Sequence, residues 1–218
     1  MILTILNFIW IFICAAAVGI LIVTLMSKFT GKIFYEEIDV LMWMGILGLT
    51  VYAEVFSLFY RVGFMANVIL GLCVAGIVIV MKKEIPCYVS PIVNRLKEQK
   101  ELMIVAGLVV IYFAAAATRT PVFYDTDLYH AQAIQWIERY GVVPGLGNLH
   151  NRFAYNSAFL CLQALFSWRS VIGQSLHGMN AFLGMMMTFY AIMTFSHNFS
   201  TVGIRRSHKS FVECCGLW

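Results

Sequence analysis

Long apolar runs alternate with short polar breaks along this chain, and the runs have the length of a bilayer crossing. Segments 2–26, 40–60, 64–81 and 102–118 each offer roughly 17–25 mostly apolar residues, what a helix needs to cross about 30 Å of hydrocarbon. Their apolar positions are continuous rather than spaced on one face, as expected for helices with no water-facing side. A shorter run at 153–168 and a last one at 179–195 follow. The pattern predicts an all-α polytopic membrane helix bundle of about six segments. It divides into four N-terminal transmembrane helices (1–118), a polar loop (119–156), two C-terminal membrane segments (157–195) and a polar, basic tail (196–218).

Composition agrees. The chain is 61% hydrophobic and 12% charged, against about 25% charged for an ordinary soluble domain. The net charge of +4 is spread over short loops rather than along one face, which excludes a nucleic-acid partner. Cys14, Cys73 and Cys161 sit inside apolar runs as small hydrophobes, and the adjacent Cys214 and Cys215 lack zinc-type spacing. The first run is too long for a signal-peptide core and lacks a basic start and a small-x-small cleavage site, so it reads as a retained helix.

Lysine and arginine bias sets the expected orientation. Segment 82–101, with Lys82, Lys83, Arg95, Lys97 and Lys100, is the strongest cytoplasmic candidate. Alternation then puts the N-terminus, the Arg61 turn and 119–156 outside, and 27–39, with Lys28 and Lys32, inside. A full crossing by 153–168 sends the tail outside despite Arg205, Arg206 and Lys209, whereas a re-entrant segment leaves it inside. About 16 residues just reaches the lower limit of a span, and a full crossing is the expectation.

The loop at 119–156 carries the candidate chemistry. Residues 127–140 project as an amphipathic helix, with Tyr129, Ala133, Ile134, Trp136, Ile137 and Tyr140 on one face and Gln132, Gln135, Glu138 and Arg139 on the other. Gly141 and Pro144 end it. Its aromatic face suits a helix lying in the membrane–water interface, and the plain alternative is a connector there. Asp125 or Asp127 is expected to cap it, which explains one acid and not both. Two carboxylates two positions apart, with His130 a turn on, have the inventory for a divalent cation or an acid–base pair. The following GVVPGLGNLHNRFAYNS is bent by glycine and proline, without the strand–turn–helix context of a phosphate loop. Arg152 suits a phosphate, or else snorkels at the interface. His150, Asn151 and Asn156 offer donors and acceptors to sugar hydroxyls or to the loop backbone. Glu54 is the one acid well inside an apolar run, a functional candidate by position alone. It either lines the same vestibule or pairs with Arg61, two turns along.

The pattern YDTDLYHAQAIQW…YGVVPGLGNLHNRFAYNS after a membrane helix resembles the first large extracytoplasmic loop of the GT-C superfamily, polytopic glycosyltransferases that use polyprenyl-phosphate-linked sugars. It resembles still more closely an uncharacterised group of large bacterial multi-pass proteins regarded as GT-C-like, over about residues 100–195. Asp125 matches the first acid of that superfamily's pair; Thr126 stands at the second place and Asp127 is displaced by one.

The resemblance implies transfer of a sugar from a lipid-linked donor to an extracytoplasmic acceptor in the cell envelope, with membrane lipids around the protein in the bacterial inner membrane. Asp125 would be the general base, Asp127 would position a divalent cation, and that cation or Arg152 would offset charge on the departing phosphate. It also implies a longer protein, of which this chain is the N-terminal part. The tail after Phe195 offers no further span, so a truncated, inactive copy stands beside a complete one. Two rivals remain: a non-catalytic component of polysaccharide export or polymerisation, and a small transporter using Glu54 as its coupling acid.

Overall fold

The computed structural model describes residues 1–31, 38–98, 100–119, 125–154 and 157–195, and every regular element among them is helical. Nine α-helices lie within the described residues: α1 (Ile2–Thr30), α2 (Ile38–Phe59), α3 (Phe64–Val80), α4 (Ile85–Glu98), α5 (Lys100–Ala116), α6 (Ala131–Tyr140), α7 (Ala158–Leu165), α8 (Arg169–Ile172) and α9 (Met179–Phe195). Two of them, α1 and the stretch Val40–Phe59 of α2, are long and apolar enough to cross a membrane. Helices α3, α5 and α9 are apolar and shorter.

The α1–α2 pair is the most extensive packing in the molecule. It is antiparallel: Gly19 backs onto Leu41, and Gly45 onto Ala15. A Cβ on Gly45 would land inside the van der Waals shell of the Ala15 carbonyl, so the two backbones touch. Small residues one turn apart, Ala15 and Gly19, make that approach available, and close packing holds apolar helices together where lipid competes with any apolar contact. After the Arg61–Gly63 turn, α3 returns alongside α1, with the Tyr52 hydroxyl of α2 donating to the Ala66 carbonyl at 2.7 Å.

Segment 82–101, expected to be a loop, contains α4. Pro86 falls in its first turn, where a missing N–H costs nothing. Ile85 and Tyr88 of α4 pack on Ile20, Val23, Leu41 and Met81, closing the end of the bundle where α1 finishes and α2 begins.

The opposite end, holding the start of α1, the end of α2 and the start of α3, is covered by α6, α7 and α8. Segment 153–168, expected to cross fully, does not form one crossing helix. Its helix α7 has eight residues, about 12 Å of rise against about 30 Å of hydrocarbon. Residues Leu160 to Leu165 are all buried, so this helix is hydrophobic because protein surrounds it, not lipid. Its last carbonyls meet side chains from α3 and α1: Asn67 Nδ2 donates to Leu165 O at 2.6 Å and Asn7 Nδ2 to Phe166 O at 3.0 Å. Each asparagine oxygen accepts from an indole, Trp10 Nε1 at 3.1 Å on Asn67 and Trp168 Nε1 at 3.0 Å on Asn7. Both asparagines are almost fully buried, Asn7 at 3% and Asn67 at 4% exposure. Trp168, in the left-handed region at φ 55°, turns the chain, and its ring meets Trp10 edge-on at 6.5 Å. Helix α9 then starts beside α1 and α5: the Phe182 and Phe8 rings are 5.9 Å apart, and Gly184 lies against Phe113.

Replacing Gly45 by Leu forces α1 and α2 apart, with an expected loss on the order of 3 kcal/mol, the upper range for overpacking. Gly76, where an added methyl would meet nothing within 4 Å, is the contrast: Gly76→Ala leaves stability unchanged or raises it by less than about 1 kcal/mol. Unfolding midpoints of the two variants in detergent check both; equal midpoints contradict the helix contact.

Candidate functional site

The acid–guanidinium cluster is built where the two ends of the 119–156 loop meet. A π-turn, Thr126–His130, precedes α6, with the Ala131 N–H reaching back to the Thr126 carbonyl. Such turns carry an extra residue per turn and re-aim the side chains before them. Asp125 opens this turn with helical torsions and makes no capping hydrogen bond, so the expected capping role does not fall to it. Its carboxylate goes instead to a residue 27 positions away: Arg152 Nη1 donates to Asp125 Oδ1 at 3.2 Å. Arg152 sits in the 3₁₀ turn Asn151–Ala154, its Cζ 4.9 Å from the centre of the Tyr129 ring. The Arg152 N–H donates to His150 Nδ1 at 3.2 Å, and the His150 ring leans on Phe153 at 5.5 Å. Asn151 is exposed at the start of the same turn.

Structure therefore joins exposed Asp125, His150 and Arg152 with half-buried Tyr129 in one group. His130 is at its margin, its ring 4.2 Å from Tyr129. Asp127 contributes its backbone to the π-turn, its side chain lying outside the described residues, as does the whole of Asn156. Among the described residues no three His, Cys, Asp or Glu side chains gather as a metal would require.

Glu54 lies elsewhere. It is half-buried on α2, one turn before Ser57, whose hydroxyl donates to the Glu54 carbonyl at 2.6 Å. Of the two alternatives for Glu54, pairing with Arg61 is not made: Arg61 Cζ stands over the Tyr60 ring at 5.6 Å, and among the described residues Glu54 has no ion-pair partner. Helix α2 ends at Phe59, so Arg61, seven positions after Glu54, lies beyond it in the turn.

Helix α6 anchors this end of the molecule. Ile134 and Glu138, one turn apart, are its buried residues. Glu138 was expected on the outward polar face; its side chain is 4% exposed and lies 3.8 Å from Arg169 Nε, with Ser175 Oγ at 2.8 and 3.1 Å from its two oxygens. The helix ends at Gly141, φ 77°, where a Cβ would meet the Ser57 and Tyr60 carbonyls at 2.6 and 2.8 Å. Only glycine fits this approach. Across it, Val62 N–H donates to Ile137 O at 3.1 Å and Val142 N–H to Ser57 O at 2.9 Å, stitching α6 to the α2–α3 turn.

Two cavities flank α6. One, of about 410 Å³, is mostly apolar and lies between α6, the glycine loop and α7, with Trp136, Leu146, Phe153 and Leu160 in its wall. The other, of about 430 Å³, lies between the α2–α3 turn, the end of α6 and α8. Arg61, Glu138, Arg139 and Arg169 face it. Neither is lined by Asp125, Arg152 or Glu54. Sequence reasoning missed the group of Glu138, Arg169 and Ser175. Its one signal was Arg169 directly after an apolar run too short to cross comfortably.

These features define an all-helical protein with helices of membrane-crossing length, capped at one end by short helices that bear an acid–guanidinium cluster. The chain belongs to the family described as Domain of unknown function (DUF8201), whose family model matches residues 1–213. No curated protein and no solved structure matches it.

The two ion pairs differ in what they hold. Asp125 and Arg152 are 54% and 49% exposed, so Asp125→Asn or Arg152→Gln is expected to shift stability by less than about 1 kcal/mol. Glu138→Ala leaves Arg169 and Ser175 without their buried acceptor, at an expected cost of about 1–3 kcal/mol. Chemical or thermal unfolding of the three variants tests the ranking, and equal losses contradict it.

Proposed function

We propose that this is a multi-pass protein of the bacterial cytoplasmic membrane, GT-C-like, that transfers a sugar from a polyprenyl-phosphate donor to an acceptor on the outer side. In this reading α1, α2, α3, α5 and α9 cross and α6–α8 stay at one end; the length and apolarity of α1 and of Val40–Phe59 support it. That arrangement keeps both the basic segment 82–101 and the tail, with Arg205, Arg206 and Lys209, inside. It also puts Asp125 and Arg152 at the outer water boundary.

The observation that carries the chemistry is the meeting of Asp125 and Arg152 at 3.2 Å across 27 residues of sequence. A proton acceptor and a phosphate-binding fork stand side by side, as transfer from a phosphate donor requires. An entering donor phosphate takes over the guanidinium, and the Asp125 carboxylate is released to receive the proton of the acceptor hydroxyl. That oxygen forms a bond to the anomeric carbon while the bond from this carbon to the phosphate oxygen breaks. The electron pair leaves with the polyprenyl phosphate, its negative charge held by Arg152. One displacement of this kind inverts the anomeric centre. Asn151 and His150 are near enough in the chain to meet sugar hydroxyls.

A second reading, a non-catalytic component of polysaccharide export or polymerisation, draws on one observation: the pair lines neither cavity. Consumption of lipid-linked sugar by membranes of expressing cells separates the two. Transfer is expected in the wild type and is expected to fall about 10²–10⁴-fold in Asp125→Asn, the usual worth of a positioned base. Transfer that persists unchanged in Asp125→Asn removes the base assignment, and no transfer in the wild type favours the second reading.

A further inference from the structure

The cavity between the α2–α3 turn, the end of α6 and α8 takes no part in sugar transfer at Asp125, and its charge is one-sided. Arg61, Arg139 and Arg169 reach its wall from three separate elements, against one carboxylate, Glu138. That carboxylate is committed to Arg169 at 3.8 Å and to Ser175 at 2.8 Å. Among the described residues neither Arg61 nor Arg139 has an ion-pair partner. The wall therefore carries a formal excess of two positive charges. Like charges around one volume repel each other, and an anion entering that volume offsets the repulsion.

Two further features favour the same occupant. Gly63 borders the cavity and is the N-cap of α3, which starts without a side-chain cap. The first N–H groups of a 17-residue helix thus add a positive field to that of the arginines. Ser170, exposed on the wall, adds a hydroxyl donor. The volume, about 430 Å³, admits a phosphate or pyrophosphate group together with part of what bears it.

We infer that this cavity is a binding site for a phosphate or pyrophosphate group, separate from Arg152. Planar, forked guanidiniums pair with oxyanions two oxygens at a time, and a phosphate brings more charge and more acceptor oxygens than a carboxylate. The group arrives either free in water or on a lipid. The site stands independently of sugar transfer, since neither Asp125 nor Arg152 lines it.

The test uses the full chain. Protein in uncharged detergent is titrated with inorganic pyrophosphate, and protein in phosphatidylcholine nanodiscs is compared with and without phosphatidic acid, reading the unfolding midpoint by tryptophan fluorescence. The midpoint is expected to rise with at least one of these anions. Stabilisation by pyrophosphate indicates a water-borne group, and stabilisation by phosphatidic acid alone a lipid-borne one; both support the site. The apparent affinity is expected to fall tenfold or more in Arg61→Gln/Arg139→Gln and to stay unchanged in Arg119→Gln, an exposed arginine after α5 that lines neither cavity. Arg61 and Arg139 are chosen because no ion pair is lost with them, and Arg139→Gln alone gives the same comparison if the double variant does not accumulate. No stabilisation by either anion overturns the inference. So does equal weakening by Arg119→Gln, which marks diffuse surface charge instead of a site.

Discussion

The last carbonyls of a helix need hydrogen-bond donors, and in apolar surroundings water does not supply them. In this protein α7 ends deep among other helices, and its Leu165 and Phe166 carbonyls are met by Asn67 and Asn7. Two asparagines in otherwise apolar helices would be a liability on their own. Here each is saturated, giving its amide N–H to α7 and taking an indole N–H from Trp10 or Trp168. The constraint works in both directions. Helix α7 can stop inside the protein because the asparagines are there, and the asparagines are tolerated because α7 stops there.

Stopping α7 at that point has consequences for everything after it. The chain reverses at Trp168, so α8 stays beside the α2–α3 turn and α6 is held against α7. Arg169 is then delivered to Glu138, while Arg61 and Arg139 come to the same wall. The acid–guanidinium cluster of Asp125 and Arg152 is positioned from the other end of α6, through the π-turn. One end of α6 thus carries a half-exposed pair free to exchange partners. Its other end carries a buried carboxylate fixed by three contacts. Exposure decides the difference: a pair open to water is held weakly and can open to a ligand, whereas a buried one cannot lose a member cheaply.

The long helices were legible because continuous apolar sequence leaves little alternative. The joining of Asp125 to Arg152 was not, since nothing in residue spacing reports a contact across a loop of this length; only the choice of those two side chains as candidates came from sequence. The shortness of α7 within 153–168 was not legible, for a physical reason. Buried in protein or buried in lipid, a helix has the same composition, and the signal that separates them lay far away, in Asn7 and Asn67. Helix α4 was missed because 82–101 was read for its basic residues alone, which report sidedness and not conformation. Glu138 was placed by its polarity, whereas its position one turn after Ile134 put it on the buried stripe, where Arg169 and Ser175 make burial tolerable.

Whether α7 folds back is decided most directly by the sidedness of the residues flanking it. With the six native cysteines replaced, Asn151→Cys and Ser170→Cys are each exposed to an impermeant maleimide in intact cells, with Lys83→Cys as the opposite-face reference. The account predicts that positions 151 and 170 react from outside alike, and that 83 reacts only after permeabilisation. Labelling of 151 and 170 from opposite sides would mean that the segment between them crosses, and the asparagine-capped reversal would be wrong.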